Sequence, residues 1–95
     1  MLKWELGLDA TNDAIRSGRM AEINQTLAAT TKPEAMYFGT ENGWRTGYVF
    51  FDLTDVAQIP LIAEPLFQHV GSTVEFIPVM NADDLQRGLA EAANA

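Results

Sequence analysis

The chain has no cysteine and a single histidine, His69. The first absence excludes a disulfide framework and any thiolate metal centre, and leaves no mark of an oxidising compartment. Basic residues are few: six against thirteen acidic ones, for a net charge of −7. No lysine or arginine cluster occurs, so a nucleic-acid backbone would be repelled and no nucleic-acid partner is expected. No apolar run reaches membrane-spanning length, and "MLKWELGLD" lacks the basic start and apolar core of a signal peptide. There is no phosphate-cradling glycine loop, no nucleophile elbow and no zinc-ligand spacing. The expectation is a small acidic cytoplasmic protein with no membrane partner, no metal and no cofactor.

What is present is an ordinary globular composition, 47% hydrophobic and 20% charged over 95 residues. That is one domain, 1–95, with no room for a second core. A chain of this length buries only about two-thirds of its unfolded surface, so burial against another subunit would help it.

The periodicity changes several times along the chain. "MLKWELGL" alternates, with Leu2, Trp4, Leu6 and Leu8 on one face and Lys3, Glu5 and Gly7 on the other, which is strand spacing. "DATNDAIRSGRMAEINQTLAATTK" moves to helical spacing through Ala14, Ile15, Met20, Ile23, Leu27 and Ala28, with Asp9 or Thr11 as cap. Gly18 weakens this helix and marks a place where it can break, and Thr31-Lys32-Pro33 ends it. Asp55 with Gln58 reads as a capping pair for a helix "VAQIPLIAEPLFQHVG", bent or divided at Pro65 and stopped at Gly71. "STVEFIPVM" is a strand whose Pro78 suits a sheet edge. "NADDLQRGLAEAANA" is a short helix capped by Asn81, with Asp83 and Asp84 at its positive end.

The strongest local signal is Asn42-Gly43, two residues that tolerate the positive φ of a type I′ hairpin turn. The turn fixes the register: Glu41 faces Trp44, Gly39 faces Thr46 and Tyr37 faces Tyr48. Cross-strand partners share a face, so the hairpin can be sorted. Met36, Phe38, Val49, Phe51 and Leu53 form an apolar face. Tyr37, Glu41, Trp44, Thr46, Tyr48, Phe50 and Asp52 form one that is aromatic and polar together.

The resulting order is β-α-β-β-α-β plus a C-terminal helix, an α+β chain with a four-stranded antiparallel sheet in the ferredoxin-like arrangement. Both long helices then cover one sheet face, carrying Leu2, Trp4, Leu6, Met36, Phe38, Val49, Phe51, Val74 and Phe76. The opposite face presents Lys3, Glu5, Tyr37, Thr46, Tyr48, Phe50, Glu75 and Ile77, and no segment is left to cover it. A second copy of the chain is the expected lid.

From Gly47 onward, "GYVFFDLTDVAQIPLIAEPLFQHVGSTVEFIPVMNADDL" resembles the second half of a dimeric α/β-barrel protein. That superfamily includes muconolactone isomerases, small cofactor-free monooxygenases and YCII-like proteins. The passage from Pro65-Leu66-Phe67 into Val74-Glu75-Phe76 is similar to a helix-to-strand passage of muconolactone isomerase. "VEFIPVM…DDL" is closer to uncharacterised small members. The resemblance implies two ferredoxin-like subunits packed sheet against sheet around a shared cavity. It carries over no catalytic residue: the YCII-type His-Asp signature is missing, and His69 belongs to a helix end.

The candidate ligand-binding residues are those of the uncovered face: Lys3, Glu5, Tyr37, Thr46, Tyr48, Phe50 and Glu75. A lysine among carboxylates in a dry cavity suits an acidic or quinone-like substrate, and Tyr37, Tyr48 and Phe50 supply flat walls for a planar one, so a small hydrophobic or aromatic molecule is the expected ligand between subunits. With a raised pKa, Glu5 or Glu75 would serve as a base, Tyr48 as an acid-base group, giving a cofactor-independent isomerase or monooxygenase. The same residues also fit a plain interface, since mixed polar and aromatic composition is what interfaces show, and a protein-interaction module is the third reading. Whether the chain is an enzyme stays open at this level.

Overall fold

The structure is a computed structural model that describes residues 1–94; the side chains of Leu8, Asp9, Ala10, Thr11, Ala14 and Val70 lie outside the described part. Eight elements follow in order: β1 (Leu2–Glu5), α1 (Leu8–Ser17), α2 (Arg19–Thr31), β2 (Ala35–Glu41), β3 (Trp44–Phe50), α3 (Gln58–Val70), β4 (Thr73–Phe76) and α4 (Ala82–Ala93). The class is α+β. The four strands form one antiparallel sheet in the order β2-β3-β1-β4, which puts β1 between β3 and β4.

The hairpin forms as its turn residues dictate. Asn42 and Gly43 both take positive φ, 54° and 83°. Glu41 pairs with Trp44, Gly39 with Thr46 and Tyr37 with Tyr48, the register expected from the turn. Phe51 and Leu53 fall beyond β3, which stops at Phe50, though Phe51 still packs against the core.

The first strand is shorter than its alternation indicated. β1 ends at Glu5; Leu6 stays buried, its amide donating to the Arg45 carbonyl, and Leu8 opens α1 instead of extending the strand. The N-cap of α1 is Gly7, so the backbone of Asp9 and Thr11 lies inside the helix; their side chains are outside the described part. Gly18, at φ 79°, ends α1 and begins α2, so the helical stretch breaks where its glycine permits. Lys32 closes α2 in the left-handed region just before Pro33.

α3 starts at Gln58, later than the Asp55–Gln58 pair implied. Asp55 caps a preceding turn, accepting from the Ala57 amide through Oδ1 and from the Gln58 amide through its carbonyl. The helix continues through Pro65 without dividing and stops at Gly71, φ 56°. β4 is an edge strand, with Pro78 just past it.

The core lies between the sheet and α2 and α3: Leu2, Trp4, Leu6 and Val49 from the sheet side meet Ile23, Leu27, Ile62 and Leu66. Met36, Val74 and Phe76 pack partly against it. Phe38 shares this face by register but stands on edge strand β2, where 58% of it stays exposed. α4 carries a full capping box, Asn81 with Asp84, yet buries none of its residues, and Leu85 and Leu89 remain exposed one turn apart. Among the described residues no helix is long and apolar enough to cross a membrane.

Candidate functional site

Strand alternation sends Lys3, Glu5, Tyr37, Gly39, Glu41, Trp44, Thr46, Tyr48, Phe50 and Glu75 to the sheet face opposite the core. Four cross-strand rows organise it, Phe50 pairing with Ala35 in the one farthest from the turn. Tyr37, Tyr48, Lys3 and Glu75 form one row, Gly39, Thr46 and Glu5 the next, and Glu41 with Trp44 the row nearest the turn.

A network crosses these rows. Lys3 Nζ lies 2.7 Å from Glu41 Oε2 and 3.7 Å from Glu5 Oε1. The Tyr48 hydroxyl donates to the same Glu41 Oε2 at 2.9 Å. Both Lys3 and Tyr48 therefore reach past the intervening row to a carboxylate at the hairpin end. Thr46, in the row being crossed, is only 2% exposed. Its hydroxyl donates to the Trp44 carbonyl at 3.0 Å.

The charges hold each other firmly in their ionised forms. Lys3 is pushed above its ordinary value, first by the hydrogen bond to Glu41, with the fields of Glu41, Glu75 and Glu5 adding to it. Glu41 is held below the usual carboxylate range by its hydrogen bonds from Lys3 and then Tyr48. Tyr48 is raised, because its proton is held against the Glu41 carboxylate. Glu75 acts on Lys3 through space from the neighbouring strand.

Beside this network sits an aromatic pair. The rings of Tyr37 and Phe50 meet edge to face, 6.2 Å between centroids at 79°. Tyr37 is nevertheless 62% exposed, and Trp44 is exposed nearby. Two flat side chains in edge-to-face contact on an open sheet offer aromatic surface to a planar molecule.

All seven residues singled out from the sequence thus share one face, and Lys3, Glu5 and Tyr48 join a single network. Ile77 lies beyond the end of β4, where its amide donates to the Met1 carbonyl. The residue missed was Glu41, which organises the network. Its position on this face followed from the hairpin register, but the reach of Tyr48 and Lys3 toward it did not.

His69 is exposed in the last turn of α3 and plays no part here. It borders a separate groove of about 420 Å³ between α2 and α3, floored by the core residues Ile23, Leu27, Ile62 and Leu66. The convergent hydrogen-bonded polar chemistry is on the open sheet face. Among the described residues no group of three or more ligating side chains is placed to hold a metal ion.

The fold and this face define a small α+β protein whose antiparallel sheet is covered by helices on one side and open on the other. Comparison with protein-family models, with curated proteins and with solved structures gives no match.

Proposed function

We propose that the chain is a homodimeric α/β-barrel protein, two ferredoxin-like subunits packed sheet to sheet, whose shared cavity binds a small hydrophobic or aromatic molecule. The strand order, with β1 inside β3 and β4 and the helical core on one side, supports the ferredoxin-like reading. The observation that carries the proposal is the Tyr37–Phe50 pair: ordered aromatic surface on a sheet face that no described segment covers.

The electrostatics narrow the ligand. One lysine among Glu5, Glu41 and Glu75 leaves a surplus of two formal negative charges, and Lys3 is already engaged. Such a floor favours a neutral or positively charged aromatic molecule over an acid. It also favours binding over catalysis. A general base works best with a pKa near the working pH, whereas Glu41 is lowered and Lys3 raised, both away from it. The isomerase or monooxygenase reading would rest on the remaining carboxylates, and docking of another protein would use the same aromatic wall.

Sedimentation velocity on the wild type and on Tyr37→Asp tests the proposal, followed by native mass spectrometry of the wild-type species. A wild-type dimer that dissociates in the variant is expected. A wild-type monomer at high micromolar concentration would end the barrel reading, and a dimer indifferent to Tyr37→Asp would place the interface elsewhere.

A further inference from the structure

The two edge strands of the sheet differ in how they are guarded. β4 is four residues long, carries Glu75 and runs toward Pro78 just past its end. Shortness, charge and a nearby proline are usual devices that keep an edge from pairing. β2 lacks all of them along its length. It is seven residues, AMYFGTE, matched one to one with β3 without a bulge. Its one charged residue, Glu41, stands at the last position and is engaged by Lys3 and Tyr48. Tyr37 and Phe38, on opposite faces of the strand, are both more exposed than buried.

The hairpin decides which backbone groups are free. Glu41 and Trp44 flank a two-residue turn and are the hydrogen-bonded pair beside it. Such pairs alternate along an antiparallel ladder, so Glu41, Gly39, Tyr37 and Ala35 are tied to β3. Met36, Phe38 and Thr40 therefore aim their N–H and C=O groups away from β3, and no strand lies on that side. A row of free donors and acceptors on a largely apolar edge is a template for another strand.

The strand is its own complement. Two copies related by a two-fold axis at Phe38 pair over the full length of β2. Met36, Phe38 and Thr40 then meet Thr40, Phe38 and Met36 of the second copy, free backbone groups against free backbone groups. Phe38 stands opposite Phe38, an aromatic pair across the axis. Tyr37, the bulkiest side chain of the strand, stands opposite Gly39, the residue that has none. Nothing lies within 4 Å of a Cβ built at Gly39, so the space facing the ring is open. Glu41 meets Ala35, and within this register no carboxylate opposes another. Each chain contributes one edge, so the assembly closes at two.

We propose that β2 pairs edge to edge with β2 of a second copy, antiparallel and centred on Phe38, joining two sheets into one. The contact uses the edge of the sheet and stands whether or not chains also pack through the open face. Two short strands make a small contact, so association should depend on concentration.

Isotope-filtered NOE spectroscopy on a mixture of ¹³C-labelled and unlabelled wild-type chains tests the register. Tyr37 and Gly39 form a non-hydrogen-bonded pair, whose Cα atoms come closest, so an intermolecular Hα–Hα contact between them is expected. Amide exchange at Met36, Phe38 and Thr40 should slow several-fold from dilute to concentrated protein, while Gly39 and Glu41 hold steady. Thr40→Pro removes an outward N–H that the β3 ladder does not use, so the hairpin should survive and the intermolecular contact should vanish. If amide dispersion shows that this variant does not fold, Phe38→Lys replaces it, setting two like charges opposite each other at the axis. Both variants leave Tyr37 and the open face unchanged, so a dimer formed through that face would persist in them. A wild-type monomer at high micromolar concentration, or a dimer whose Met36, Phe38 and Thr40 amides exchange as fast as in dilute protein, would overturn the proposal. Slowed exchange without the Tyr37–Gly39 contact would overturn it too, since the strands would then pair in another register.

Discussion

Trp4 lies across Gly47, and its indole occupies the volume into which a side chain at that position would project. The two residues are cross-strand partners on the core face, and Trp4 is wholly buried. Gly47→Ala should therefore cost about 1–3 kcal/mol, the usual range for overpacking a filled core. Gly39 provides the control, since nothing stands within 4 Å of a methyl group added there. Gly39→Ala should stay within about 0.5 kcal/mol of wild type. Urea midpoints at constant m-value distinguish the two.

The Lys3–Glu41–Tyr48 network predicts where stability depends on pH. Glu41 is lowered, so its contribution is complete above the ordinary carboxyl value of 4.5 and is lost as pH falls through its folded value. Lys3 is raised, so its contribution is complete below its ordinary value of 10.5 and is lost as pH rises through its folded value. The stability gap between wild type and Glu41→Gln should be flat across the neutral range and shrink at both ends. A gap that grew toward acid would mean that Glu41 is not held as an anion by these partners.

Tyr48 can be watched directly, because the chain has only two tyrosines. In a Tyr37→Phe background, phenolate absorbance reports Tyr48 alone. Its appearance should lie above the ordinary value of 10.0, since the hydrogen bond to Glu41 is the largest cause of its shift. Adding Glu41→Gln should move it back downward. If the second change leaves the titration where it was, Tyr48 does not donate to Glu41 in solution.

Helix α4 should behave as a separate unit. The Asn81 side chain accepts from the Asp84 amide at 2.8 Å, and Asp84 accepts in return from the Asn81 amide. Asn81→Ala removes half of that box and should weaken the helix by about 1 kcal/mol. Because α4 buries none of its residues, amide exchange should quicken there while protection in β1 and β3 stays unchanged. A matching loss of protection in the sheet would show that α4 packs on the rest of the protein.

How far the sequence could be read depended on which signals are local. Asn42-Gly43 set the hairpin register, and the register in turn sorted Tyr37, Tyr48 and Phe50 onto one face, because each step is a short-range constraint. Gly18 marked the helix break for the same reason. Leu8 could not be placed from alternation, since Leu6 and Leu8 match a strand continuing or a helix beginning. Asp55 and Gln58 match a cap at a helix start or a turn before it, and the turn prevailed. The exposure of Phe38 depends on how far the helices extend over β2, which is a tertiary matter. Glu41 was on the correct face but its role was hidden, because the direction in which a lysine and a tyrosine lean is decided by neighbours on other strands.

Salt gives the sharpest check on the proposed pairing of two chains through the open sheet face. Each open face carries Lys3 against Glu5, Glu41 and Glu75, so two such faces brought together oppose like charge with like. In the proposed dimer the aromatic contact would have to overcome that repulsion, which the whole-chain charge of −7 increases. Screening shortens from a range of about 30 Å at 0.01 M salt to about 10 Å at 0.1 M. The dimer dissociation constant should accordingly fall several-fold across that interval, and Glu75→Gln should tighten the dimer and flatten its salt response. Dimerisation weakened by salt would mean that opposite charges meet at the interface. The open sheet face, with three carboxylates around its one lysine, would then not be the surface that two chains share.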